Sequence, residues 1–134
     1  MSADYRQHKD SIVNKGNVYL IPLPITQLDE FKTDSHPLQN TQIINQLNCF
    51  AVENVRTARR FLKKINRNID IDQLDFIELN KKTTDEDLSK IITILKEGEN
   101  IGVMSESGCP GIADPGQEIC KRAHLNNIRI IPLV

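Results

Sequence analysis

Residues 84–104, TDEDLSKIITILKEGENIGVM, contain a complete helix followed by a strand, and they point to the fold class. Thr84 and Asp87 have the spacing of a capping box at the start of a helix. Apolar residues follow at positions i, i+3, i+4 and i+7, which gives the helix one buried stripe; they are Leu88, Ile91, Ile92 and Leu95. Gly98 stands where a glycine ends a helix. Residues 101–104 then form a short apolar run, typical of a strand that is covered on both faces.

The same alternation of apolar runs and helical patterns continues in both directions along the chain. Strands are predicted at residues 18–21, 49–52, 76–79, 101–104 and 128–134. Helices are predicted at 38–47, at 55–65 behind the N-cap Asn54, from Thr84 onward, and after Asp114. Strands that alternate with helices indicate βαβ units. The predicted fold class is therefore α/β, with a parallel five-stranded sheet flanked by helices on both faces.

Composition restricts the classes of protein to which this chain can belong. Its 134 residues suit one domain, and its 17 Lys+Arg against 18 Asp+Glu give no overall attraction to nucleic acid. No apolar stretch approaches the ~18 residues of a membrane span, and the polar start is not a signal peptide. Three cysteines without CxxC spacing argue against a disulfide framework and favour a cytoplasmic location. Residues 1–16 are predicted to be a flexible tail and residues 17–134 one α/β domain.

The loop after the fourth predicted strand, SESGCPGIADPG at residues 105–116, is the most unusual segment of the chain. It holds three of the six glycines and two of the six prolines. Ligands bind at the carboxyl ends of strands in parallel sheets, and glycine lets the backbone approach them closely. The loop therefore predicts a small-molecule site. Its composition is equally consistent with a tight turn that only connects strand to helix.

A second candidate region follows the second predicted strand. Glu53 ends that strand, and the helix behind it is strongly basic. Arg56 and Arg60 are i, i+4 neighbours, so they can orient a substrate or bind phosphate together. The alternative, which charge runs on helices generally favour, is a solvated basic face with Glu53 paired locally. No dinucleotide or Walker phosphate motif follows the first strand, and no metal site is predicted from the three histidines.

Three segments together resemble the tetrapyrrole methylase superfamily, nearest to the branch containing ribosomal RNA small subunit methyltransferase I. SESGCPGIADPG resembles that superfamily's S-D-A-G-T-P-G-I-S-D-P-G block, and VENVRTARRFL, at residues 52–62, resembles an A-E-D-T-R-H-T-R-R-L-L block. LIPLPI, at residues 20–25, resembles the opening strand and its P-T-P-I-G-N-L loop. The segments occur in the family's order, and the resemblance spans residues 17–134.

The resemblance implies a methyltransferase that uses S-adenosylmethionine, bound in a cleft between two domains. By position, Glu53 and Arg56 would face the substrate, and Arg60, the i, i+4 neighbour of Arg56, is expected to bind it as well. If the acceptor is a hydroxyl group, Glu53 is the candidate for the catalytic base. The residues expected to bind the cofactor are Pro24, Ser105, Glu106, Ser107, Gly108, Cys109 and Pro110. The methyl transfer itself would proceed by in-line displacement, for which the protein supplies alignment.

Four of the departures from the family's pattern leave the methyl acceptor open. Thr26 and Gln27 replace a glycine and an asparagine, Asn54 replaces an aspartate, and Glu106 replaces an aspartate. The ribose hydroxyl of ribosomal RNA is the favoured acceptor. A corrin or porphyrin acceptor is the first alternative, and a non-catalytic α/β module that binds a ligand or a protein is the second.

The end of the chain, IRIIPLV, lies within a predicted apolar strand. The resemblance therefore suggests the amino-terminal half of a methyltransferase whose C-terminal domain is absent from this chain. We expect such a half to be inactive by itself and to expose apolar surface where its partner domain packs. The expected partners are that second domain, an RNA or small-molecule acceptor and a second copy in a homodimer, with no membrane.

Overall fold

A computed structural model of the chain describes residues 14–23, 38–105 and 114–133. Its strands are β1 (Val18–Pro22), β2 (Cys49–Val52), β3 (Asp75–Glu78), β4 (Ile101–Ser105) and β5 (Ile130–Pro132). Its helices are α1 (Leu38–Asn45), α2 (Val55–Ile65), α3 (Asp85–Lys96) and α4 (Asp114–Leu125), with a 3₁₀ turn at Ile71–Gln73. None of the helices within these ranges is long and apolar enough to cross a membrane.

The five strands form one sheet in the order β3-β2-β4-β1-β5, and every neighbouring pair is parallel. The chain moves from β1 through β2 to the β3 edge, and then returns through β4 to the β5 edge. Right-handed crossovers require a change of face when the direction reverses. The packing follows that rule, since α1 and α2 share one core cluster while α3 and α4 share the other. The predicted α/β class is confirmed.

The central strand β2 shows why its sequence is an unbroken apolar run. Phe50 and Val52 face the cluster formed with α1 and α2, whereas Cys49 and Ala51 face the cluster formed with α3 and α4. All four residues are at most 2% exposed. A strand covered on both faces has no solvent side, so the polar alternation of a half-exposed strand is missing.

The capping box predicted at the start of α3 is present. The Asp87 N–H donates to Thr84 Oγ1 (3.1 Å), and the Thr84 N–H donates to Asp87 Oδ2 (3.0 Å). The Thr84 N–H, together with the Thr84 hydroxyl, holds the pKa of the Asp87 carboxyl below its ordinary value, because donors to the carboxyl group stabilise the carboxylate. At the other end, Gly98 has φ +101°, a conformation that favours glycine. Local sequence signals therefore define both ends of this helix.

Several predicted boundaries differ from the structure by one or two residues. The helix predicted at 38–47 ends at Asn45, the strand predicted at 76–79 lies at Asp75–Glu78, the strands predicted at 18–21 and 101–104 each extend one residue further, and the strand predicted at 128–134 ends at Pro132. Lys15 and Gly16, which the prediction assigned to the tail, contact the fold, since the Lys15 ammonium donates to the Asn126 carbonyl (2.8 Å) and the Gly16 N–H to the Leu95 carbonyl (2.7 Å). The last strand begins at residue 130 rather than 128. The Ile128 N–H instead donates to the Ala123 carbonyl (2.8 Å) and closes the end of α4.

Candidate functional site: the carboxyl edge of the sheet and the basic face of α2

The strand register brings two of the predicted site residues to the same edge of the sheet. Val52 of β2 is opposite Met104 of β4, so Glu53 follows β2 at the level of Ser105. On the other side of β4, Pro22 of β1 is opposite Ser105. From β2 the chain continues toward β3, and from β4 it continues toward β5. Connections that diverge in this way leave a crevice between the two strands, which is the usual ligand site of an open α/β sheet.

Asn54 fixes the start of α2 beside this crevice. Its extended backbone (φ −142°, ψ 112°) precedes the first turn, and its side-chain oxygen accepts the Thr57 N–H at 3.0 Å. The cap places half-buried Glu53 before the helix and exposed Arg56 in its first turn. The family's block has an aspartate at this position. Asn54 therefore keeps the capping role and removes one negative charge.

The edge continues beyond β3 in a turn that the sequence patterns did not identify. The Leu79 N–H donates to the Val52 carbonyl at 2.6 Å, so the end of β3 is tied to the end of β2. Asn80 then closes the turn, because its side chain accepts the Lys82 N–H (2.7 Å) and its own N–H donates to Thr83 Oγ1 (2.8 Å). Asparagine and threonine at this spacing are a recognisable turn signal.

Most of the predicted cofactor-binding residues lie outside the described ranges. Ser105 is placed as the last residue of β4. The others are Pro24, Glu106, Ser107, Gly108, Cys109 and Pro110. Their assignment to the cofactor stays a prediction.

The outer face of α2 carries all five of the helix's cations. They lie opposite the buried residues Ala58, Phe61 and Leu62, and they are Arg56, Arg59, Arg60, Lys63 and Lys64. Three pairs of these cations are four residues apart, and each such like-charge pair destabilises a helix by about 0.2–0.5 kcal/mol. The helix contains no acidic residue to offset them. This face is therefore electrostatically unfavourable for the helix itself.

A groove of about 510 Å³ runs between this basic face and the 3₁₀ turn, lined by Arg59, Arg60, Lys63, Lys64 and Ile71. The guanidinium carbon of Arg59 lies 5.6 Å from the centre of the Phe76 ring, within cation–π range. The Lys63 ammonium donates to the Ile69 carbonyl at 2.9 Å. Arg60, predicted to bind substrate, thus lines this groove, about one helical turn from Arg56. The sequence did not predict that Ile71 lines this groove, because Ile71 lies in a segment of the chain that is separate from α2.

The two cysteines in the described ranges are poor nucleophiles. Burial, followed by the nearby charges of Glu99 and Asp75, raises the pKa of the Cys49 thiol to about 11. Burial also raises the pKa of Cys120. Because the thiolate is the reactive form, neither residue is suited to catalysis near neutral pH.

Comparison with known proteins gives relatives that share one name, although no family model matches the chain. A ribosomal RNA small subunit methyltransferase I from Buchnera aphidicola (subsp. Schizaphis graminum) is 30% identical over 125 residues. Proteins of the same name from Escherichia coli O157:H7 and Halalkalibacterium halodurans are 26% and 28% identical, each over 129 residues.

These alignments include 92% to 96% of this chain but only 40% to 41% of each relative. The chain therefore spans about two fifths of the length of the curated relatives that it matches. The likeness extends over nearly all the elements described above, including the parallel sheet and the basic helix behind β2. Over nearly all of its length, the chain is thus similar to proteins named ribosomal RNA small subunit methyltransferase I, and it fits the tetrapyrrole methylase branch.

Proposed function

We propose that this chain forms the cofactor-binding α/β part of an S-adenosylmethionine-dependent methyltransferase that acts on small-subunit ribosomal RNA. The observation that carries the proposal is the convergence of Glu53 and Ser105 at the crevice between β2 and β4. The names of the relatives support the same reaction and the same acceptor. Because the chain spans about two fifths of those relatives, we assign the activity to the protein that contains this chain together with a second domain.

The residues at the crevice suit the chemistry of methyl transfer. S-adenosylmethionine supplies an electrophilic methyl group on a positively charged sulfur, so the protein's main task is to align donor and acceptor. Residues 105–110, rich in small side chains, would hold the cofactor with backbone N–H and carbonyl groups, and Pro24 would border them. The proposal needs no metal ion.

Glu53 is the proposed general base. Its position after β2 puts a carboxylate at the carboxyl edge, where it would accept the proton of a ribose hydroxyl as the oxygen attacks the methyl group. Arg56, in the first turn of α2, would hold a phosphate of the acceptor. Arg60, one turn further along α2, would hold the next phosphate.

Calorimetry and a labelling assay test the proposal in separate steps. Calorimetry with S-adenosylhomocysteine is performed on the 134-residue chain and on a longer protein that contains it. Labelled S-adenosylmethionine is then incubated with the longer protein and either small ribosomal subunits or tetrapyrrole precursors. Binding together with label in the ribosomal RNA is the expected result. No binding at millimolar ligand contradicts the methyltransferase assignment, and label only in the tetrapyrrole contradicts the RNA acceptor.

The role of Glu53 is tested with Glu53→Gln, which keeps the size of the side chain but removes the base. We expect methyl transfer to fall by about 10²- to 10⁴-fold, the usual contribution of a general base, while cofactor affinity stays within about twofold. Glu97→Gln, at the exposed end of α3, is the matched control. A rate for Glu53→Gln equal to that of the control would exclude Glu53 as the base.

A further inference from the structure

One strongly charged surface of the molecule extends well beyond the methyl-transfer crevice. This surface, the basic face of α2, places five cations and no acid on an eleven-residue helix. By contrast, α3 has three acidic residues in its first turn and Lys96 in its last, which is the order that the helix dipole favours. In α2, Arg56 lies in the first turn, where the dipole disfavours a cation. Lys63 and Lys64 lie in the last turn, where the dipole favours cations, but helix stability does not account for Arg56 or for the absence of acidic residues in α2.

The cations differ in how far the fold already restrains them. Arg59 stacks over the Phe76 ring, and the Lys63 ammonium bonds to the Ile69 carbonyl. Arg56 and Lys64 have neither a hydrogen bond nor an ion pair with any residue in the ranges that the structure describes. The face thus combines side chains held in place with exposed cations at both of its ends.

The groove beside the helix has a cationic wall along α2 and Ile71 on its other side. Ile71 is half-buried, and it is held there by the 3₁₀ turn that Asp70 caps, since the Asp70 carboxylate accepts the Asp72 N–H at 3.2 Å. An anionic chain is therefore attracted to the α2 side of the groove, along the helix.

We propose that the basic face of α2 and its groove bind the sugar–phosphate backbone of the substrate RNA, leading from Arg56 near the crevice toward Lys64. This inference rests on the proposed function and adds the path of the substrate. Arg56 and Lys64 are eight residues apart, or about 12 Å along the helix axis. At about 3.4 Å of axial spacing per phosphate in one strand, the face spans about three or four phosphates.

A nucleic acid fits this surface better than an acidic protein does. Protein interfaces need a buried apolar or aromatic centre surrounded by a polar rim. Among the described residues that line it, the groove has one apolar side chain, Ile71, beside four whose charged ends extend from aliphatic stems. Its volume of about 510 Å³ lies within the range of small-ligand pockets, so a ribose or base can rest on Ile71 while the phosphates follow the helix.

The test measures RNA affinity against salt for the 134-residue chain. The probe is a fluorescein-labelled single-stranded RNA of twelve nucleotides, titrated by fluorescence anisotropy between 50 and 200 mM KCl. The variant is Arg60→Gln with Lys64→Gln. The control is Lys90→Gln with Lys121→Gln, which removes the same charge from exposed positions of α3 and α4 on the opposite face of the sheet. Circular dichroism verifies that both variants fold.

For the variant, we expect about tenfold weaker binding at 100 mM KCl and a log–log salt slope that is shallower by about 1.4, since each lost phosphate contact removes about 0.7. The control should stay within about twofold of the parent chain. An equal loss in the control, or no loss in the variant, would overturn the proposal. Competition by polyglutamate as effective as competition by unlabelled RNA would also overturn it.

The outcome is distinguishable from a failure of the proposed function. The same variants are titrated with S-adenosylhomocysteine. Its affinity should not change, because Arg60 and Lys64 belong to α2 and not to residues 105–110, which we propose hold the cofactor. Intact cofactor binding with unaffected RNA binding refutes the groove alone. If neither the parent chain nor the longer protein binds S-adenosylhomocysteine, the methyltransferase assignment is refuted, whatever the RNA result.

If Arg60→Gln disturbs the helix, the single charge reversal Lys64→Glu provides a second test of RNA binding. Lys64 is exposed and near the end of α2, so the substitution changes charge with little effect on packing. RNA binding should weaken by more than threefold. An unchanged affinity would overturn the proposal.

Discussion

Gly102, in the central strand β4, is the position where a single methyl group should have the clearest effect on the fold. It is opposite Tyr19 of β1 and Phe50 of β2. A Cβ atom built on it would lie 2.8 Å from Ile21 Cδ1, 2.9 Å from Leu47 Cδ1 and 3.0 Å from Phe50 Cδ1. Carbon atoms in contact normally stay about 3.5–4.0 Å apart. Gly102→Ala therefore forces three neighbours to move.

The loss of stability in Gly102→Ala depends on how easily those three neighbours can shift. Adding a methyl group to a packed core costs about 1–3 kcal/mol. The atoms of Ile21 and Leu47 are the ends of side chains that can rotate, but the Phe50 ring is stacked against Phe76 with centroids 5.8 Å apart. Replacing glycine also restricts the unfolded chain, which returns about 0.4–1 kcal/mol. We expect Gly102→Ala to lower the free energy of unfolding by about 1 kcal/mol.

Urea unfolding of the 134-residue chain, followed by far-ultraviolet circular dichroism, measures this change. Leu47→Ala removes one of the crowded atoms, so the cost of combining it with Gly102→Ala should be at least about 0.5 kcal/mol less than the sum of the separate costs. A Gly102→Ala variant as stable as the parent chain would refute the packing argument. Additive costs in the double variant would show that Leu47 is not the obstacle.

Three further predictions concern α3, its contact with α4, and the buried thiol. Thr84→Ala removes the oxygen that caps α3 and should lower the free energy of urea unfolding by about 1 kcal/mol, with Thr84→Ser near the parent value. Arg122→Met breaks a 2.7 Å ion pair with largely exposed Asp85 and a 3.3 Å pair with Glu118, so the loss should not exceed about 1 kcal/mol; a larger one would show that α3–α4 docking depends on Arg122. For Cys49, the pKa is raised from 9.0 to about 11, so the unfolded thiol ionises first and stability should fall as pH rises from about 9 to 11. When Cys49→Ala is unfolded in urea across the same pH range, its free energy of unfolding should not show the part of the decrease that Cys49 causes.

The helices and strands were largely predictable because their signals are local. The capping box and apolar stripe of α3, and the Asn54 cap of α2, depend only on residues a few positions apart. The errors fall at ends that distant contacts define. Gly16 belongs to the fold because its N–H reaches the Leu95 carbonyl, and no pattern among the first sixteen residues carries that information.

The sequence predicted the edge of the sheet at which the candidate site lies, but not which residues lie next to one another there. A carboxylate after a buried strand and a glycine-rich loop after another both point to the carboxyl edge of a parallel sheet. Their proximity depends on the strand order, which places β2 directly beside β4 although a helix, a 3₁₀ turn, a strand and a further helix separate them in the chain. A single residue of register shift would move Glu53 away from the level of Ser105.

The linear chain is thus sufficient to specify the α/β class, the family resemblance and the residue types of the candidate site, because periodicity, caps and motif spacing are encoded within short windows. The partners of those residues come from packing. Strand order and register bring Glu53 to Ser105, and the turn around Ile71 converts a run of helix cations into a groove. Such pairings arise from burying both faces of one sheet at once, and that balance involves residues that are far apart in the chain.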